Sequence, residues 1–351
     1  MVRALLGVGD VDVAAPLAGV LVLRGIIGNF AGCNLNVCFM RRKFWILVVA
    51  AALAGCVARQ AGSVDEQREV CVGELRDSLL RVADGCAGEL GIAVLTDCGD
   101  TIVVNNEAKY PLMSVFKLHQ AMALCGDFGR RGLSVDSVVS IVRGELNPDT
   151  WSPMLKDYKG DTINIAVREL MRYTLMQSDN NASNYMFEHL QPVAAADSFT
   201  ATIAPRGSFR LRYTEAEMWS DHSLAYENRT SPLGAAIVMD RLFADSIAGA
   251  DFIRSTLLEC RTGTDRIVAP LAGIEGVAVA HKTGSGFRAP DGTLAAHNDV
   301  GRVRLPGGRH YTLAVFVKDF HGSESEAAAV IARVSAVVYG MLYGGDAAVE
   351  R

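Results

Sequence analysis

Strand-like segments lie only near the two ends of this chain, and helical periodicity fills the long stretch between them. Gly91–Thr96 and Thr101–Val104 read as strands joined by a turn that contains Gly99-Asp100. Val277–Thr283, Ala296–Leu305 and Tyr311–Lys318 read as three antiparallel strands separated by Gly, Pro and Asp turns. Between them apolar residues recur at helical spacing. Leu118, Ala121, Met122 and Cys125 mark a helix over 114–125, and Val167, Leu170, Met171, Thr174 and Leu175 mark one ending near Gln177. Ala182, Tyr185, Met186 and His189 share one face of the next helix. Ser231 caps another, with Ala235, Val238, Met239 and Leu242 inward, and a further helix covers about 251–261. Residues 205–230 show no clear period. Two helices flank the strands. One, over 66–84, carries Val72, Leu75, Leu79 and Val82. The other opens at the capping box Ser323-x-x-Glu326 and turns Ala327, Val330, Ile331, Val334, Val337, Val338 and Met341 inward. A hairpin, then helices, then the remaining strands points to one sheet built from both ends of the chain.

With 351 residues, half of them hydrophobic, the chain has material for one large domain or two. A net charge of −5 gives no electrostatic reason to expect nucleic acid. The scattered histidines and the absence of His-x-x-x-His or Cys-x-x-Cys spacing argue against a metal site, and no cofactor is expected. Residues 40–56 begin Met-Arg-Arg-Lys, continue as an apolar run from Phe44 to Leu53 and exit through small residues to Cys56, the pattern of an export signal. The run is too short to span a membrane as a stable helix. Residues 1–39 make an unusual preface, and we expect translation to start at Met40. Residues 57–65, with Gly62-Ser63, form a short linker before a domain at 66–351. That domain carries Cys71, Cys86, Cys98, Cys125 and Cys260, an odd number that leaves at least one outside any internal bridge.

Three short motifs carry the chemistry. Ser114-Val115-Phe116-Lys117 sets a serine one helical turn ahead of a lysine, so both side chains rise on one face. A lysine amine can take a serine's proton where burial and a second cation disfavour the charged ammonium, which implies nucleophilic acyl transfer. Alone the pattern is weak, since a chain of this size contains roughly one by chance. Ser178-Asp179-Asn180, between two helices, reads alone as a cap. Lys282-Thr283-Gly284-Ser285-Gly286 ends a strand, and its two glycines suggest close approach of a ligand to the backbone.

Taken together, in this order and 64 and 104 residues apart, the motifs resemble those of the serine β-lactamases and penicillin-binding proteins. Within that superfamily the chain looks like a class A β-lactamase of a cephalosporinase-leaning, extended-spectrum branch. Glu215 follows Ser178 by 37 residues, behind an arginine, as on the family's Ω loop, and Trp151-Ser152-Pro153 matches an aromatic-Ser-Pro at the mouth. The family's usual Glu-x-x-Leu-Asn here has Met218 and Trp219 in its last two places, which removes one anchor for the hydrolytic water. The resemblance implies an antiparallel sheet flanked by N- and C-terminal helices, with a helical insert lobe. The α/β lobe would take about 66–110 and 262–351, and the helical lobe about 111–261. It implies Ser114, Lys117, Ser178 and Glu215 as catalytic residues, and the N–H groups of Ser114 and Ser285 as the oxyanion hole. Asn180 would hold the substrate's side-chain amide, Lys282 and Thr283 its carboxylate with Arg266 as second cation, and Trp151 the mouth; Asp179 reads as support, and His281 receives no role. The ending Leu-Ala-Gly-Cys resembles a bacterial lipobox, which would lipidate Cys56 and anchor an exported, periplasmic monomer acting on a small β-lactam. A D,D-peptidase or a non-hydrolysing β-lactam sensor shares the serine and lysines; Glu215 speaks against both.

Overall fold

The computed structural model describes residues 69–244 and 247–344. In chain order its elements begin with α1 (residues 69–84), β1 (Glu89–Thr96), β2 (Thr101–Val104), β3 (Tyr110–Pro111), α2 (Phe116–Arg131), β4 (Val138–Val142), α3 (Pro153–Asp157) and β5 (Thr162–Ala166). Then come α4 (Val167–Met176), α5 (Asn180–Tyr185), α6 (Val193–Thr200), β6 (Phe209–Arg210), α7 (Glu215–Ser220), β7 (Arg229–Thr230) and α8 (Pro232–Ala244). The last are α9 (Ala250–Leu258), β8 (Ala278–Ser285), β9 (Leu294–Arg304), β10 (His310–Phe320) and α10 (Glu324–Leu342). The segments read as an export signal and linker lie outside the described residues.

Five strands form one antiparallel sheet in the order β2-β1-β10-β9-β8, so the two ends of the domain meet where Glu89 pairs with Lys318. Successive residues of a strand face opposite sides, and each side has its own cover. Ile92, Val94, Leu313, Val315 and Val317 turn toward α1 and α10, meeting Leu75, Leu79, Ile331, Val334 and Val338. Ala93, Ala314 and Phe316 turn the other way, into a core shared with α8 and the helical region. The fold is that of an antiparallel sheet flanked by N- and C-terminal helices, with helices inserted between its strands.

Several local expectations need correction. The stretch 205–230 is not irregular throughout: it holds β6, α7 and β7, elements of two to six residues, too short for periodicity to register. After α5 the chain takes one π turn over Met186–Leu190, whose extra residue rotates His189 off the buried face to solvent. Met341, assigned inward, is 39% exposed in the last turn of α10. The β4–β5 hairpin went unread because Val138 and Val142 stand exposed, which breaks the apolar alternation. Cys71, Cys86, Cys125 and Cys260 are free thiols.

Candidate active site

The turn that carries Ser114 is held before the helix starts. Leu112 donates to Asn228 O (2.8 Å), and the buried Asn298 Nδ2 donates to Pro111 O (2.7 Å). Met113 then takes φ +45°, a costly region for a side chain with a Cβ, and Met113–Val115 makes a 3₁₀ turn that places Ser114 just ahead of α2. Every residue from Phe116 to Cys125 is buried. An amphipathic stripe was expected there; α2 instead runs through the core, apolar contacts on all sides.

A buried amine requires hydrogen-bond partners, and Lys117 has them. Its Nζ lies 3.1 Å from Ser114 Oγ, 2.9 Å from Ser178 O, 2.6 Å from Asn180 Oδ1 and 2.8 Å from Glu215 Oε1. Ser114 Oγ donates to the same Glu215 Oε1 at 2.9 Å. Ser178, at φ +59°, turns its Oγ to accept from Lys282 Nζ at 3.1 Å. Burial, reinforced by the Lys117 charge, lowers the Lys282 ammonium to about 7. Ser114, Lys117, Ser178, Glu215 and Lys282 thus form one continuous polar chain.

Glu215 is the first residue of α7, and local sequence chemistry sets it there. Thr214 caps the helix while Glu217 Oε2 accepts from Thr214 N (2.8 Å), a reciprocal capping box. Glu217 is therefore occupied at the cap. Ala216 N donates to Asn184 Oδ1 (3.1 Å), and the buried Asn228 clamps both Arg212 N and Tyr213 N. Met218 is buried and Trp219 points outward, half exposed, so neither turns a polar group to Ser114.

The mouth and the strand β8 complete the site. Asn180 Nδ2 donates to Thr150 Oγ1 (2.8 Å), so both ends of the amide have protein partners. Trp151 is 54% exposed, its Nε1 donating to Gln177 O (2.7 Å). Asp179 is buried and accepts from Ser152 Oγ, Met154 N and Ala182 N, which ties the mouth to α5. Arg266 is buried beneath β8, its Nη1 donating to Gly284 O (3.1 Å) and Asn298 O (2.6 Å) and its Nη2 to Ser285 Oγ (2.6 Å). It fastens the end of the strand. Thr283 Oγ1 lies 2.6 Å from Thr262 Oγ1. Sequence reasoning passed over Asn184, Asn228, Asn298 and Thr150, whose polar sequence neighbours (His297 and Asp299 beside Asn298, Glu227 and Arg229 beside Asn228) gave no signal of burial.

Residues 74–342 match the β-lactamase enzyme family, and the chain belongs to it. A β-lactamase of Phocaeicola vulgatus is 51% identical over 311 residues, 86% of this chain and 97% of that one. On this kinship and fold it is a class A serine β-lactamase, an enzyme that hydrolyses β-lactams. The extended-spectrum β-lactamase PER-1 of Pseudomonas aeruginosa is 32% identical over 270 residues, 76% of this chain and 86% of that one. The solved class A β-lactamase from Bacteroides cellulosilyticus superposes with a TM-score of 0.71 at 30% identity, over 78% of this chain and 98% of that one. The TLA-3 extended-spectrum β-lactamase superposes with a TM-score of 0.74 at 27% identity, over 77% and 99%.

Proposed function

We propose that Ser114 opens the lactam ring of penicillins and cephalosporins, with a lean toward cephalosporins, and that Glu215 drives release of the acyl group. The observation that carries this reading is the shared contact of Ser114 Oγ with Lys117 Nζ and Glu215 Oε1, at 3.1 and 2.9 Å. Ser114 Oγ attacks the carbonyl carbon, and its proton passes to one of these two neighbours. The N–H groups of Ser114 and Ser285 receive the oxyanion, each worth about 3 kcal/mol in such sites. As the C–N bond breaks, the Ser178 hydroxyl delivers its proton to the nitrogen and is reprotonated by Lys282 Nζ, 3.1 Å from its Oγ. Water then attacks the ester while Glu215 takes its proton, and the Ser114 hydroxyl is restored. Lys282 and Thr283 hold the substrate carboxylate. Arg266 acts from below, through the strand end it fastens, in place of the direct contact the sequence suggested. Asn180 orients both Lys117 and the substrate's side-chain amide, and Trp151 shapes the mouth.

The domain at 66–351 works as an exported, periplasmic monomer, its signal over 40–56 ending at a lipidated Cys56. Residues 57–351 are expected to hydrolyse nitrocefin over many turnovers. Ser114→Ala should abolish both turnover and covalent labelling by penicillin. Labelled protein of shifted mass in that variant removes Ser114 from the role, and a wild type that stalls after one turnover makes the protein a sensor or peptidase. Intact mass of the protein from membranes tests the anchor at Cys56.

A further inference from the structure

A cavity of about 410 Å³ opens beside the small β3-β7-β6 sheet and shares no residue with the polar chain from Ser114 to Lys282. Three arginines line it from three segments: Arg206 from the turn Arg206–Ser208, Arg210 from β6 and Arg229 from β7. Arg210 and Arg229 are direct partners in the β6–β7 register, and like charges set opposite each other are destabilising. One carboxylate serves both, for Glu227 Oε2 lies 2.9 Å from Arg210 Nη1 and 3.8 Å from Arg229 Nη1. Asp197 on α6, the acidic residue of the lining, is already committed. Its Oδ1 accepts from Leu211 N (3.0 Å), and its Oδ2 pairs with Arg206. The Arg206 guanidinium stands 5.6 Å from the centroid of Phe209, which with Leu211 gives the cavity an apolar wall.

We propose that this cavity is a binding site for a phosphate group, free or carried as a monoester on a small organic molecule. Three guanidinium groups meet two carboxylates, Asp197 and Glu227, so these five side chains sum to one positive charge. A guanidinium presents its donors as a planar fork that matches the oxygens of carboxylate and phosphate. A carboxylate sets its two oxygens in one plane, whereas a phosphate group sets its oxygens around a tetrahedron, which suits forks arriving from three segments of the chain. Arg229 is the fork most open to a ligand, since Glu227 holds it at the longer distance, 3.8 Å. The volume lies in the range that small organic ligands fill, and the Phe209 wall gives a carbon part something to pack on.

The three arginine side chains are 37–62% exposed. Ion pairs at that exposure add little to the fold, and their charge is open to an ion from solvent and screened by salt. Replacing Arg229 removes one fork and one cation without stripping a buried partner. Replacing Glu227 acts in the other direction, because it takes away the carboxylate that competes with the ligand for Arg210 and Arg229.

The test is isothermal titration calorimetry of the full-length chain at low ionic strength, with inorganic phosphate and, separately, glucose 1-phosphate. The wild type should bind saturably with a Kd of about 1 mM or below. Arg229→Gln should weaken binding about tenfold or more, the loss of a charge-assisted contact. Glu227→Gln should tighten it severalfold, a gain that a merely structural pair would not give. Lys282→Ala should leave the affinity unchanged, because the cavity lies apart from the catalytic chain. Equal or tighter binding of inorganic phosphate marks the free ion as the ligand, and tighter binding of glucose 1-phosphate marks an ester; either supports the site. No saturable heat up to about 20 mM of either probe, or an affinity unchanged in Arg229→Gln, overturns the proposal. An affinity lost in Lys282→Ala also overturns it, since the anion then sits in the catalytic cleft. If Arg229→Gln does not fold, Glu227→Gln decides alone, and binding there that is no tighter than in the wild type sinks the idea.

Discussion

Glu215 Oε1 sits within hydrogen-bond reach of both the serine and the lysine, and that double contact sets what its replacement should do. Glu215→Gln keeps the shape and loses the ability to accept a proton, and general-base help is typically worth ~10²–10⁴-fold. The variant should acylate and stall, seen as a stoichiometric burst and a mass increase that persists for minutes. Glu217→Gln should turn over nearly as the wild type, since glutamine also closes a capping box. Lys282 makes a second case, with its ammonium lowered to about 7 by burial and by Lys117. It is charged below that pH and neutral above, so kcat/KM for carboxylate-bearing substrates should fall as pH rises through 7 to 8. Lys282→Ala should raise KM and flatten this limb; a pH–rate profile of both proteins checks it. Ser114, Lys117, Ser178 and Lys282 were named from the sequence because their motifs are contiguous and ordered, and Glu215 through the family resemblance, by its place 37 residues after Ser178. Arg266 and Asn180 were named too, but a linear motif does not say which carbonyl or amine a side chain will find first. Asn184 and Asn228 went unseen, since an asparagine in a helical or loop stretch reads as a surface residue until its burial is known.

At the scale of elements, β8 comes up closely against the turn that carries Ser114 at Gly284, where a Cβ would meet Leu112 O, Met113 Cβ and Val115 Cγ2. A Cβ on Gly284 would lie 2.5 Å from Leu112 O, well inside contact distance. Gly284→Ala should push the strand off the turn that carries Ser114 and lower kcat/KM by tenfold or more. Gly144→Ala, where nothing stands within 4 Å, is the control and should leave activity unchanged. Steady-state kinetics on the two variants decide this. The sheet strands and the long helices were legible because their apolar patterns run for many residues. The two-residue strands β3, β6 and β7 and the six-residue α7 were not, because they exist by virtue of their neighbours: Pro111 pairs with Arg229, and Arg229 with Arg210. The Ser323 capping box adds about 1 kcal/mol, against the fully buried Ile331, Val334 and Val338 of α10 at roughly 2 kcal/mol each. Packing therefore decides that helix, and its cap decides where it begins.

Among the described residues, one sheet serves two cores, and the one that holds Met113 and Val115 adjoins the polar chain from Ser114 to Lys282. Ile331, on the helical cover away from Ser114, is fully buried. Ile331→Ala should cost ~2–5 kcal/mol yet leave the kcat of the folded fraction unchanged, as followed by far-ultraviolet circular dichroism and nitrocefin turnover. The pairing of both chain ends was visible in the positions of the strands; which helix covers which face was not, because periodicity gives a buried stripe without naming what it meets. From residue 57 onward the sequence holds two tryptophans, Trp151 and Trp219, and both are half exposed. One stands at the mouth and the other on the short helix that begins at Glu215. Intrinsic indole emission will accordingly be red-shifted in the native state, will respond to a ligand entering the cleft, and will change little when the sheet melts. A fluorescence trace of this enzyme is a signal of occupancy, and its unfolding has to be followed by another light.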